Sequence, residues 1–188
     1  MDEVTDTGAK QEGRKSGGKR RQVAALPWRG EGETLRILLV SSRETRRWVI
    51  PKGWPMKDKT DFAAAAQEAY EEAGLDGVIS ERPIGEYEYL KKLKSGAARL
   101  VKVDVFPMQV TGEHATWPEK GQRTLDWMTP VEAALAVQEP DLRDLIARFA
   151  GIELPEERPA PHPAPTPVRV AFQRLRRRVT ALWGRYRR

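Results

Sequence analysis

Strands interleaved with helices of unequal length predict an α+β domain, a mixed β-sheet covered by helices rather than a regular doubly wound array. Three observations carry this. Apolar runs with strand chemistry occupy residues 22–28, 35–42 and 48–50, the second built on Ile37-Leu38-Leu39-Val40. The period then changes to helical over residues 62–73, rich in Ala and Glu. Strand-like segments return at 84–90 and 100–110, the latter alternating as far as Pro107, and residues 131–136 and 142–149 read as closing helices. No internal repeat interrupts this order.

The borders follow from local chemistry. Residues 1–18 are polar and Gly/Lys-rich, with too little apolar surface beyond Val4 to offset the entropy of ordering, which predicts a flexible tail. Inside it, Gly13-Arg-Lys-Ser-Gly-Gly-Lys19 has phosphate-loop spacing. No apolar strand precedes it, however, and Arg20 stands where a hydroxyl would reach magnesium, so it reads as charged tail. Pro51 and Gly53 end the third strand. Thr60 is placed as the N-cap of the acidic helix, Asp61 suits its positive end and Gly74 supplies the stop. The expected domain runs over 19–151. Residues 152–167 form a proline-rich, semi-rigid spacer, and 168–188 a basic amphipathic helix with Val168, Phe172, Leu175, Val179, Leu182 and Tyr186 on its apolar stripe.

Composition narrows the function classes. The chain has 188 residues, no Cys and two His, which excludes disulfide scaffolds, zinc ribbons and thiol catalysis and leaves carboxylates as the natural metal ligands. It has no Asn and no apolar run of spanning length, and MDEVTDTGAK lacks a signal-peptide core, so the expected compartment is the cytoplasm. The formal charge of +6 sits in the tails: residues 1–22 carry six bases and four acids, residues 152–188 nine and three, leaving eighteen and twenty between them. The domain itself is slightly acidic.

Its acids are clustered. At about 100° per residue from Glu68, Glu72 falls near 40°, Glu71 near 300° and Asp61 near 20°, while Phe62, Ala66, Ala69 and Ala73 fall at roughly 100–160°. This predicts an alanine-rich face against a sheet and carboxylates on the opposite side. Like charges at this spacing destabilise a helix unless a divalent cation neutralises them; otherwise the acids are simply a solvated face. The preceding Trp48-Val-Ile-Pro-Lys-Gly-Trp54 adds a strand and a loop whose Gly53 permits close backbone approach, a unit suited to a metal-bound polyphosphate.

Over 53–75 the chain resembles the Nudix hydrolases. Gly53, Glu68, Ala69, Glu71, Glu72, Gly74 and Leu75 fall into register with the family box, while Lys59 stands where the family has Glu and Gln67 where it has Arg. Both members of that bracing pair are replaced together, so neither is left uncompensated. Around the box, Ile37-Leu-Leu-Val-Ser-Ser-Arg43, Arg47-Trp-Val-Ile-Pro-Lys-Gly53 and Trp117-Pro-Glu-Lys-Gly-Gln-Arg123, with Trp127 and Glu132-Ala-Ala beyond, are similar to the branch of diphosphoinositol polyphosphate and diadenosine polyphosphate hydrolases.

The resemblance implies an α/β/α sandwich and hydrolysis of a phosphoanhydride bond in a small-molecule polyphosphate, by water activated on Mg²⁺ or Mn²⁺. It assigns Glu68, Glu72 and the Lys52 carbonyl to the metal and Glu71 to the general base, with Glu119 in reserve as base or ligand. Ser41, Ser42, Arg43, Gly53, Lys91, Lys92, Lys94, Arg99 and Arg123 are candidate substrate contacts, joined by Arg20 and Arg21. Tyr87 and Tyr89 are expected to pack on the sheet, with adenine stacking as the other use, and His114 to face solvent. Two further readings stand beside the hydrolase: a silent Nudix-fold sensor, and an enzyme acting on RNA ends. The basic helix could contact an anionic membrane surface, RNA or a partner protein, or fold back on the domain.

Overall fold

The computed structural model describes residues 20–93 and 96–154. The predicted tail at 1–18, the spacer beyond residue 154 and the basic helix at 168–188 lie outside the described residues. Among those described, no helix is long and apolar enough to cross a membrane.

The first strand, β1 (Arg20–Arg29), lies at the middle of the sheet. It pairs antiparallel with β2 (Arg36–Ser41) and with the two-residue β4 (Lys52–Gly53), and parallel with the long β7 (Ala98–Glu113). Beyond β2 lie β3 (Trp48–Val49) and β8 (Leu125–Met128); β7 also carries β5 (Leu75–Ile79) and β6 (Gly85–Lys92), all four antiparallel to their neighbours. The sheet is therefore mixed, as the sequence predicts.

Strand alternation sends successive residues to opposite layers. Val23, Ala25, Leu38, Val40, Phe106 and Met108 pack with α1 (Asp61–Ala73), while Ala24, Leu26, Ile37, Leu39 and Val103 pack with α2 (Pro130–Ala136) and α3 (Pro140–Ala150). Helices on both faces make the α/β/α sandwich. Thr60 caps α1 as expected, its hydroxyl accepting from Ala63 N–H at 3.4 Å. Gly74 closes the helix in the left-handed region at φ 69°, and a Cβ there would meet the Trp117 ring at 2.5 Å, so both the turn and the packing require glycine.

The sequence reading misses β5, β8 and the two-residue β4, where it placed only a break at Pro51 and Gly53. Asp76 and Gly77 are poor strand formers, and a register shift between them accommodates both. The last long strand also continues past Pro107, whose carbonyl accepts from Ser80 N–H at 2.8 Å.

Candidate active site

The face of α1 that packs on the sheet includes Ala69, Ala73 and Phe62, as expected, but is rotated toward Glu72. Ala64, Ala65, Ala69 and Ala73 are buried, but so is Glu72, at 5% exposure, whereas Phe62 and Ala66 are only partly covered. The packed stripe is centred near Glu72 itself, because the small Ala65 and Ala69 beside it let the helix approach the sheet closely enough to enclose the carboxylate. Of the four acids, Glu72 is thus drawn into the packed face, while Asp61, Glu68 and Glu71 are only partly covered.

Enclosure needs compensation. Arg123, its side chain 5% exposed, donates to Glu72 Oε1 at 2.5 Å, to Glu119 Oε2 at 2.7 Å and to the Ser41 carbonyl at 3.1 Å. Arg43 donates to the other Glu119 oxygen at 3.1 Å. Glu72 Oε2 is buried with no hydrogen-bond partner. Burial raises the Glu72 carboxyl above the ordinary value, while Lys52 and Arg123 draw it down. Burial, reinforced by the charges of Glu72, Glu71 and Glu119, pushes Glu68 up to about 7. Glu68 lies against the Gly53 backbone: a Cβ at position 53 would fall 1.8 Å from its Oε1. That close approach is the reason for glycine at this turn.

Lys52 contributes its ammonium as well as its main chain. Burial lowers that group to about 8, with Glu72 opposing and Arg47 and Arg123 reinforcing the shift. The Lys52 ammonium and the Arg47 guanidinium lie 5.7 and 5.5 Å from the Tyr89 ring centroid, and the Tyr89 hydroxyl donates to Gln22 at 2.7 Å. Burial pushes Tyr89 up to about 12.

Glu72, Arg123, Arg43, Lys52, Arg47, Tyr89 and Gln22 line a cleft of about 430 Å³. Of the sequence candidates, Ser42, Arg43, Lys52, Glu72, Lys91 and Arg123 line it. Glu68, Glu71 and Glu119 adjoin it without lining it; Glu71 Oε1 accepts from the Gln67 amide at 2.8 Å, and Glu119 N–H donates to the Glu71 carbonyl at 3.0 Å. Ser41 is fully buried and uses its hydroxyl to accept from Thr124 N–H at 2.9 Å, so it braces the wall. Arg99 is exposed opposite Lys91 in the β6–β7 register, away from the cleft lining. Arg21 is drawn instead to Asp104 and Asp61. Lys94 and the side chains of Lys92 and Arg20 lie outside the described residues. Tyr87 packs in the core as expected, while Tyr89 both packs and lines the cleft. His114 is engaged, bonded to Asp76 at 2.5 Å and edge-on to Tyr70.

Sequence reasoning did not single out Gln22, Glu44, Thr45, Arg47, Leu90 and Gln138, which complete the lining. Arg47 was visible as a cation one residue before an apolar strand, and its ion pair with the buried Glu139 joins β3 to the start of α3. Nothing local distinguishes Gln138.

The donor set can be tested against a divalent cation. Among the described residues, no three carboxylate or imidazole groups form a ready-made metal cage. Glu72 Oε2 nevertheless lacks a donor, and burial reinforced by the neighbouring acids raises the Glu68 carboxyl to about 7. Hard oxygens in that condition fit a cation taking two protein carboxylates and completing its shell with phosphate and water, the habit of Mg²⁺.

The fold and cleft define an α/β/α protein with an enclosed carboxylate centre walled by cations. A NUDIX domain model matches residues 18–149, most of the chain, and the protein belongs to that family. It is 34% identical over 118 residues to Nudix hydrolase 16, mitochondrial, of Arabidopsis thaliana, an alignment covering 61% of this chain and 65% of that one. It is 29% identical over 123 residues to diphosphoinositol polyphosphate phosphohydrolase 3-alpha of Mus musculus, covering 64% and 71%. A C. elegans Ap4A hydrolase shares the fold at a TM-score of 0.52 and 17% identity, covering 71% of this chain and 98% of its own. The chain spans 50 to 65% of the length of three plant Nudix hydrolases it matches. The family resemblance read from residues 53–75 is borne out.

Proposed function

We propose that the chain is a pyrophosphohydrolase that cleaves a phosphoanhydride bond in a nucleotide or inositol polyphosphate with Mg²⁺ or Mn²⁺. The observation that carries this reading is the enclosed Glu72 carboxylate, one oxygen unmatched, at the wall of a cationic cleft. Glu68 and Glu72 would hold the cation, with the Lys52 carbonyl as a further oxygen donor. When bound, it would lower the pKa of a water and neutralise charge on the scissile phosphate. The chain's own residues supply the rest. Glu71, oriented by the Gln67 amide, accepts the proton of the attacking water, and Glu119 is the alternative acceptor. Arg43, Lys52, Lys91 and Arg123 surround the remaining phosphates and balance their charge.

The test is phosphate release from diadenosine polyphosphates, diphosphoinositol polyphosphates, nucleoside triphosphates and triphosphorylated RNA, with and without Mg²⁺ or Mn²⁺. Glu72→Gln is expected to lower metal-dependent turnover by at least about 100-fold, since disturbing even outer partners of a metal site costs 10- to 100-fold, with the circular dichroism spectrum unchanged. Unchanged turnover in that variant would sink the assignment. Ligand binding without turnover on every substrate would instead favour the sensor.

A further inference from the structure

Among the described residues, Arg46 is the one non-glycine in the left-handed region, at φ 55°. That conformation crowds an ordinary side chain and persists where the surroundings over-determine it, above all beside working sites. Arg46 sits in the turn at residues 42–47 between β2 and β3, and the turn's other two cations, Arg43 and Arg47, line the cleft. The turn is closed from within. Ser42 N–H donates to the Arg47 carbonyl at 2.8 Å, and Arg46 N–H to the Ser42 carbonyl at 3.1 Å.

The Arg46 side chain leaves the turn altogether. Its Nη1 donates to the Gln122 carbonyl and its Nη2 to the Thr124 hydroxyl, each at 3.2 Å, across 76 and 78 positions of sequence. The loop it reaches carries Glu119 and Arg123, the latter a cleft cation bonded to Glu72. Ser41 fastens the near end of the turn to the same loop, its N–H donating to the Thr124 carbonyl at 2.8 Å and its hydroxyl accepting from Thr124 N–H at 2.9 Å. Arg46 fastens the far end. Glycine would close the turn at less cost, so the turn alone does not account for an arginine.

We infer that Arg46 is a positioning residue, a clasp that holds turn 42–47 against loop 119–124 so that Arg43, Arg47 and Arg123 form one preset grip on a polyphosphate. The inference rests on the hydrolase reading and adds to its site a residue that does not itself line the cleft. The physical reason is preorganisation: long cations spread over two loops lose less freedom on binding when the loops are already joined. An arginine suits this, because its rigid fork reaches two acceptors at once.

Calorimetric titration of the full chain with inorganic tripolyphosphate, in EDTA and in Mg²⁺, reads the grip without turnover. Arg46→Gly keeps the left-handed turn and removes the clasp. Affinity should fall at least about tenfold, the scale of a lost hydrogen bond from a charged group, while the urea midpoint holds or rises. Thr124→Val leaves every charge in place, removes one acceptor and should weaken binding in the same direction, and the double variant should be no weaker than Arg46→Gly. Arg46→Lys should recover part of the loss. In the hydrolysis assay Arg46→Gly should raise KM and leave kcat within a factor of two. Unchanged affinity in Arg46→Gly, a loss that tracks a lowered urea midpoint, additive losses in the double variant, or no binding by the wild type overturns the clasp. If binding responds as expected and no polyphosphate is turned over, the clasp stands and the hydrolase reading falls.

Discussion

The two faces of the sheet are built from the same strands and differ in what they pack. Val23, Ala25, Leu38 and Val40 meet a helix whose buried side chains are Ala64, Ala65, Ala69, Ala73 and one carboxylate, Glu72. Their strand neighbours Ala24, Leu26, Ile37 and Leu39 meet Leu142, Leu145 and Ile146. The first face gives up apolar volume for close approach, which delivers an acid to the cleft from a rigid element; the second supplies bulk. Placement of the cleft carboxylate and stability are thereby divided between layers.

The sharpest way to break that division is Gly53→Ala. A Cβ there would lie 1.8 Å from Glu68 Oε1, so the carboxylate must move by an ångström or more. Misplacement on that scale costs about 100-fold in rate, and turnover should fall accordingly while the urea midpoint shifts little. Leu145→Ala, at a site 1% exposed in the opposite layer, should do the reverse. Urea unfolding is expected to show a loss of about 2–5 kcal/mol, with turnover per folded molecule preserved. A rate loss in the folded fraction would show that the layers are coupled.

A smaller effect should appear in the pH dependence of stability. Glu68 titrates near 4.5 when unperturbed and at about 7 in the folded chain. Between those values the folded state keeps a proton that the unfolded chain has lost, so this group makes stability decline as pH rises through that window. Unfolding curves at pH 5 and pH 8 in EDTA should show the decline, and Glu68→Gln should flatten it. An unchanged slope in the variant would place the titration elsewhere.

Much of the fold is legible locally. The apolar run over 22–28 marks β1, and the Thr60 hydroxyl and Gly74 delimit α1 because capping and left-handed φ are demands of the local backbone. The strand at 75–79 is hidden because Asp76 and Gly77 are tolerated only through pairing with β7. The site divides in the same way. Glu68, Glu71 and Glu72 are visible as a one-turn pattern, and the helical wheel turns Phe62, Ala69 and Ala73 inward correctly, but it weighs Glu72 as polar and cannot see Arg123, fifty-one positions away, receiving it.

The sequence by itself determined the element types, the acidic helix with its caps, the glycine at its approach loop and the family. Each is a property of residues within one or two turns of each other. Tertiary structure decided which carboxylate is enclosed, that Arg123 bridges Glu72 and Glu119, and that Arg47, Tyr89 and Gln22 share a wall with Lys52. Those depend on long-range strand pairing and on desolvation, and neither is encoded in the spacing of neighbours along the chain.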